Sequence, residues 1–463
     1  MLSSVLTLLL CVGYVVADIC DVLPGLLTLQ PVTEREYPDP LHVRGGESPV
    51  GDLDADVPLD AGKANDAIAS LAAAAGIGED FSVIITDAKG DVVAEHEADT
   101  PREPASTMKT LTALAASATL DMGSTLDTET YLEQRDDGTA VLTLVGHGDM
   151  LLGDGASDTA HVNGRAGLAT LAQSTAASLA QRGISTVTLA YDDTLFGDQR
   201  TPVGIEANND GYLYYTPVSS MAVDGGRQWA SLTKPDDPDD TSAYPPLSQT
   251  TAADTATRFA SLLNEYGIGV HGDPTAGVAP QGMSPLASVS SATLGEILAF
   301  TLRNSDNTLA EEFGRLTALA SGADNSPTGA TTAVSSALRE LGIDTTGLTM
   351  ADCSGLTPGS RLTVRTLAAV QSRNLTVGPG AAAAEGLSVA GLTGTARGRY
   401  TDDAAAGLLR VKTGSLGTVT SMTGNVSRAG GGALSFAVVV NNPVDYGAAR
   451  EAINAFVTSL ASL

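Results

Sequence analysis

Pro104-Ala105-Ser106-Thr107-Met108-Lys109 is the stretch from which the rest of the chain can be read. Met108, Leu111, Leu114 and Ala115 recur at helical spacing, so the chain from Ser106 to about Leu120 reads as a helix with a serine at its start. A separation of three residues puts Ser106 and Lys109 on one face of it. A serine hydroxyl is a weak nucleophile until a neighbouring base takes its proton. A lysine is that base when burial or a nearby positive charge lowers its pKa. The free N–H groups at a helix N-terminus also suit a developing oxyanion. The competing reading is an N-cap serine followed by a surface lysine. Lysine usage weighs against it. The chain has five lysines, at 63, 89, 109, 234 and 412, within a Lys+Arg total of 25. Arginine therefore carries the ordinary surface charge, and only a lysine can give up its proton near neutrality.

Two further motifs follow in order. Ser305-Asp306-Asn307 lies just after a helical pattern ending near Arg303. A second hydroxyl beside a Ser/Lys pair can relay a proton to a leaving amine, and an amide can hydrogen-bond both a lysine and a substrate carbonyl. The same three residues also read as an N-cap for the next helix, which is compatible with the chemical role. Lys412-Thr413-Gly414-Ser415 ends a strand that begins near Leu408. A cation with two hydroxyls suits a terminal carboxylate, and Gly414 is expected to let a substrate backbone lie against the strand. The plain alternative is a lysine at a strand end, followed by a turn.

The 463 residues are enough for two or three domains. Apolar residues make up 43% and aromatics 4%, so the cores must be built from Ala, Val and Leu. A formal charge of −29 repels phosphate backbones and argues against nucleic-acid binding. Cys11, Cys20 and Cys353 form no metal-ligand spacing, and a Cys20–Cys353 pairing is left open. The histidines at 42, 96, 147, 161 and 271 show no zinc spacing, and the acids at 236, 237, 239 and 240 lack the alternation of a calcium loop.

Residues 1–17 read as an export signal or membrane anchor, apolar from Val5 to Ala17 with Val15-Val16-Ala17 as a small-residue cleavage site. No basic residue precedes that run, which points to a start codon further upstream. Residues 18–58, rich in Pro and acids, read as a tether. Helices are expected at Lys63–Ala75, 165–182, Leu294–Arg303, Thr308–Ala320, Thr331–Leu341, Leu362–Arg373 and Tyr446–Leu460. Strands are expected at Phe81–Thr86, Val92–Glu95, Ala140–Leu144, Thr186–Tyr191, Leu408–Thr413, Val419–Asn425 and Ala433–Val440. Strands at both ends with helices between them imply an α/β (α+β) arrangement in which one sheet is built from the two chain termini.

With its three motifs the chain resembles the penicillin-recognising serine enzymes. It is most similar to the D-alanyl-D-alanine carboxypeptidase/endopeptidase family of class C, type-4 low-molecular-mass penicillin-binding proteins, peptidase family S13. The distance of 199 residues from Ser106 to Ser305 carries the distinction, because that family inserts extra structure between its first two motifs. Asp352-Cys353-Ser354-Gly355-Leu356 resembles the family's Asp-Gly-Ser-Gly-Leu loop with Cys353 in place of a glycine. Ala390-Gly391-Leu392-Thr393-Gly394-Thr395 resembles the segment before its last motif.

The resemblance covers roughly residues 60–463. It implies a penicillin-binding/β-lactamase-like transpeptidase domain in two parts, 59–124 and 286–463, with an insertion at 125–285 that is shorter than in the longest members. It implies a serine-type D-Ala-D-Ala carboxypeptidase, with DD-endopeptidase activity open, acting outside the cytoplasm on peptidoglycan stem peptides and acylated by β-lactams. In that reading Ser106 is the nucleophile and Lys109 its base. Ser305 and Asn307 relay the proton and orient the groups, while Lys412, Thr413 and Ser415 hold the terminal carboxylate. No metal or cofactor is implied. The alternatives are a β-lactamase or esterase on the same fold, or an inactive envelope-binding protein.

Overall fold

The computed structural model describes residues 2–19, 53–135, 138–376, 378, 380–400 and 405–463. It comprises two units, Met1–Asp52 and Leu53–Leu463. In the first, the apolar leader forms helix α1 (Leu2–Ile19). Among the described residues no helix is long and apolar enough to cross a membrane. Most of the expected tether, and Cys20 with its open pairing, lie outside the described residues.

The second unit opens with α2 (Ala61–Ala72), started by the Asp60 side chain, which accepts hydrogen bonds from the backbone of Gly62 and Lys63. Strands β1 (Phe81–Asp87) and β2 (Val92–His96) form a hairpin. A 3₁₀ turn at Ala105–Met108 then leads into α3 (Lys109–Thr119). The expected helix from Ser106 is thus a tight turn first and an α-helix only from Lys109.

The next stretch contributes β3 (Thr125–Gln134), β4 (Ala140–Gly146), β5 (Asp149–Leu152), α4 (Leu168–Gln181), β6 (Thr186–Asp192), β7 (Met221–Val223) and α5 (Thr251–Glu265). The short strands β8 (Gly269–Val270) and β9 (Thr275–Ala276) follow, and β10 (Ala287–Thr293) closes the stretch. The strand order is β10-β3-β4-β6-β8, with β9 also on β6, and β5 pairs separately with β7. Because β10 lies antiparallel to β3, the insertion enters and leaves through neighbouring strands. We therefore place its end after Thr293 rather than at 285, since β10 pairs within this second sheet.

Helices α6 (Leu294–Asn304), α7 (Asn307–Ser321), α8 (Pro327–Glu340), α9 (Val364–Asn374) and the short α10 (Gly380–Glu385) come next. The chain ends with β11 (Ser388–Val389), β12 (Leu409–Leu416), β13 (Val419–Ser427), β14 (Ala433–Asn441) and α11 (Tyr446–Leu460). The main sheet runs β11-β12-β13-β14-β1-β2, and β1 pairs antiparallel with β14. One sheet is therefore assembled from both ends of the unit.

Alternation along its central strands explains the layers. Phe81, Val83, Ile85, Phe436, Val438 and Val440 pack with α2 and α11 on one face. Ile84, Ala437 and Val439 pack with α3, α8 and α9 on the other. Strands covered on both faces read as largely apolar runs, as Val83–Ile85 and Phe436–Val440 do. Helix α3 is buried over nearly its whole length. Truncating one of its core residues, such as Leu111, costs about 2–5 kcal/mol. The packed core, more than the motif itself, therefore fixes the platform beneath Ser106.

Candidate active site

The turn carrying Ser106 is held from three sides. Ala105 sits in the left-handed region (φ 49°), an arrangement that costs a non-glycine residue about 1–3 kcal/mol and persists only where neighbours enforce it. Ser421 on β13 donates its hydroxyl to the Pro104 carbonyl at 2.7 Å. A Cβ on Gly414 would overlap Ser421 Oγ and lie 2.9 Å from the Pro104 carbonyl. A Cβ on Gly355 (φ 81°) would overlap the Ala105 carbonyl. Gly414 thus has a packing role inside the protein, beside the one expected toward a substrate. Its missing side chain makes room for the nucleophile's turn against β12.

Ser305-Asp306-Asn307 is the hinge between two helices. Ser305 ends α6 in the left-handed conformation (φ 58°). Asp306 caps α7 by accepting from the Leu309 N–H at 2.9 Å, and Asn307 is that helix's first residue. The cap falls to Asp306, which leaves the side chains of Ser305 and Asn307 for the chemical role.

Lys109 is fully buried, and its Nζ meets three oxygens: Ser106 Oγ at 3.0 Å, Asn307 Oδ1 at 2.7 Å and the Ser354 carbonyl at 2.9 Å. The last two can only accept. A neutral amine has two N–H groups for them and one lone pair left, which falls to the Ser106 hydroxyl. Burial pulls the Lys109 pKa down to about 8, opposed by the negative charges of Asp352 and Asp306.

Lys412 is equally buried. It donates to Ser305 Oγ and to the Thr413 carbonyl, both at 2.9 Å. Burial, then the charges of Lys109 and Arg399, press its pKa well below the usual lysine value. Thr413 Oγ1 lies 2.8 Å from Thr395 Oγ1.

The loop behind Lys109 is tied by Asp352. Its carboxylate accepts from the backbone N–H of Ser354 at 3.0 Å and Thr357 at 2.8 Å, and from the Ser354 hydroxyl at 2.9 Å. The buried Glu311 of α7 accepts from the Cys353 N–H at 2.9 Å, and burial followed by the charge of Asp352 pushes its pKa up to about 8. Cys353 is wholly buried with its thiol against Gly314.

All eight residues picked out by the motifs converge. Ser106, Ser305, Asn307, Thr413 and Ser415 line one cavity of about 510 Å³, with the buried amines of Lys109 and Lys412 hydrogen-bonded to its serines. The insertion supplies the far wall through Leu213, Tyr214, Arg227 and Tyr244, and Asn307 Nδ2 reaches across to the Tyr214 carbonyl at 2.9 Å. A family model described as the D-Ala-D-Ala carboxypeptidase 3 (S13) family matches residues 64–248 and 246–463. The chain belongs to that family. As an S13 member it is a serine-type D-Ala-D-Ala carboxypeptidase, a hydrolase.

Among curated relatives of this S13 chain, Carboxypeptidase DacB of Mycolicibacterium smegmatis is 35% identical, over 92% of this chain and 89% of that one. Carboxypeptidase Rv3627c of Mycobacterium tuberculosis is 32% identical, over 91% and 88%. Among solved structures, penicillin binding protein 4 (dacB) of Haemophilus influenzae aligns with a TM-score of 0.69 at 19% identity, covering 88% of this chain and 100% of that one. The fold is thus that of the penicillin-binding proteins, as the family resemblance implied.

Sequence reasoning missed three contributors to the S13 site. Ser354 acts through its backbone carbonyl, which no side-chain motif encodes. Glu311 sits on the α7 face turned toward the core, where i+4 spacing from Asn307 was the available signal. Arg399 lies four residues beyond the matched segment that ends at Thr395. The acidic stretch at 236–240 has a different use: Asp239 accepts from the Val162 and Asn163 N–H groups and ties down a loop of the insertion.

Proposed function

We propose that Ser106 is the acylated nucleophile in cleavage of the terminal D-Ala–D-Ala bond of peptidoglycan stem peptides. Lys109 Nζ takes the Ser106 proton as Oγ attacks the penultimate D-Ala carbonyl. The negative charge that forms on that carbonyl oxygen is received by the backbone N–H groups of Ser106 and Ser415. As the C–N bond breaks, the Lys109 ammonium gives that proton back by way of Ser305 to the departing D-Ala amine, which leaves Lys109 free again. Asn307 holds Lys109 in line. Water then attacks the acyl-enzyme, and the Ser106 hydroxyl is regenerated. A β-lactam undergoes the same first step and stays attached. The observation that carries this reading is the 3.0 Å contact between Lys109 Nζ and Ser106 Oγ, with both N–H groups of the amine already engaged.

A fluorescent penicillin should label the parent protein and leave Ser106→Ala unlabelled. Labelling that survived the substitution would remove the assignment. Digestion of defined muropeptides separates carboxypeptidase from endopeptidase products. Action on peptidoglycan requires a place outside the cytoplasm, and the apolar Leu2–Ile19 helix supports a leader or tether for it. Sequencing the N-terminus of protein from its native host tests that.

A further inference from the structure

We infer that Arg399 is the counter-ion of the substrate's C-terminal carboxylate, an assignment that rests on the acyl-transfer reading above. The third motif's lysine is badly placed for that role. Lys412 has no exposed surface, does not line the cavity, and directs its amine at Ser305 and the Thr413 carbonyl. A carboxylate entering the cavity meets Thr413, Ser415 and Thr395 instead, and hydroxyls alone leave its charge uncompensated.

Arg399 stands at this end of the cavity, among its lining residues. Its Nη2 lies 3.4 Å from Ser415 Oγ. Its Nη1 is buried and has no hydrogen-bond partner among the described residues. The other arginine lining the cavity, Arg227, is already paired with Asp224 at 3.0 Å, whereas no ion pair of Arg399 occurs among the described residues. A buried N–H without an acceptor is unfavourable, and a guanidinium offers parallel donors that match a carboxylate's two oxygens. Arg399 therefore presents one weakly held donor, Nη2, beside the hydroxyls of the third motif, with Nη1 buried behind it. A carboxylate ligand would take the Nη2 donor while accepting from Thr413 and Ser415. This divides the work of that motif. Its hydroxyls and Arg399 bind the carboxylate, and Lys412 holds Ser305.

The test compares one acyl-D-Ala-D-Ala peptide with its C-terminal carboxamide, using purified full-length parent, Arg399→Gln and Arg399→Lys. In the parent the free acid should be preferred. Arg399→Gln should lower kcat/KM for the acid by about 10- to 100-fold, mostly through KM, and leave the amide within about twofold. Arg399→Lys should recover part of the loss, because it restores the charge without the fork. Equal losses on acid and amide would mean a structural role and overturn the inference, as would an unchanged acid preference in Arg399→Gln. A parent that is acylated at Ser106 by neither peptide nor penicillin would instead bring down the underlying reading, and the inference with it.

Discussion

Two lysines at one site, both fully buried, are set to different tasks by what surrounds them. Lys109 meets three oxygens and feels two acids, Asp352 and Asp306, which hold its pKa near 8 against the pull of burial. Lys412 meets two oxygens and feels two cations, Lys109 and Arg399, which add to burial in pressing its pKa well below the usual lysine value. Desolvation is common to both, so the sign of the neighbouring charge decides the outcome. A base should be free at working pH and still avid for a proton. Lys109 fits that requirement, and Lys412 fits the task of holding Ser305.

Exchanging the amine of Lys109 is the largest way to break this comparison. Lys109→Arg keeps a cation but has no lone pair to offer, and its larger head must fit where three oxygens fix an amine. Acylation by penicillin should fall by about 10³-fold or more, measured as the second-order labelling rate. Near-parental labelling would mean that the base lies elsewhere. The parent's own rate should rise with pH and level off above about 8, because the free amine is the active form and only its ammonium is lost as pH rises.

Ser305 tests the other lysine. Its hydroxyl is what Lys412 holds, and its backbone is left-handed. Ser305→Gly should lose about 100-fold in D-Ala release, like Ser305→Ala. It should also unfold later than Ser305→Ala by about 1 kcal/mol, because glycine takes that conformation without strain. Equal activity in the glycine variant and the parent would take the proton relay away from Ser305.

These residues also mark what could be read without coordinates. Strands β1 and β14 were legible because burial on both faces leaves the apolar runs Val83–Ile85 and Phe436–Val440, whereas β12 and β13 carry the polar residues of the third motif and its partner strand. Strand β3 was not legible. Its inward positions include Thr128 and Thr130, so its alternation is one of polar residues. Helix α5 hid for a similar reason: Ala252, Ala256 and Phe259 form its inner face, amid threonines and an acid. In the site, the motifs supplied Ser106, Lys109, Ser305, Asn307 and Lys412 through side-chain chemistry. Which cation faces the cavity depended on tertiary placement, and spacing carries no record of that.

A smaller test concerns Glu311, which anchors the loop behind Lys109. Its folded pKa is raised to about 8, so between about 4.5 and 8 the folded protein keeps a proton that the unfolded chain has lost. Stability falls with rising pH across that window. Glu311→Gln removes the titration. Relative to the parent it should gain about 3 kcal/mol between pH 5 and pH 8 in urea unfolding. A constant difference at the two pH values would show that the carboxyl does not titrate there.

Asp306→Asn should have the smallest effect and gives the sharpest comparison. Asparagine caps helices as well as aspartate does, so the bond to the Leu309 N–H can be kept and α7 should stay in place. What goes is one of the two negative charges that favour the Lys109 ammonium. Without it the amine binds its proton less tightly, the free base appears at lower pH, and the acylation profile should move toward acid by less than about one unit. Meanwhile Asp306 is not among the charges acting on Lys412, so the Ser305 contact and the rate at the plateau should be little changed. A shift toward alkali would mean that the acids near Lys109 do not set its titration, and the contrast between the two lysines would then rest on burial alone.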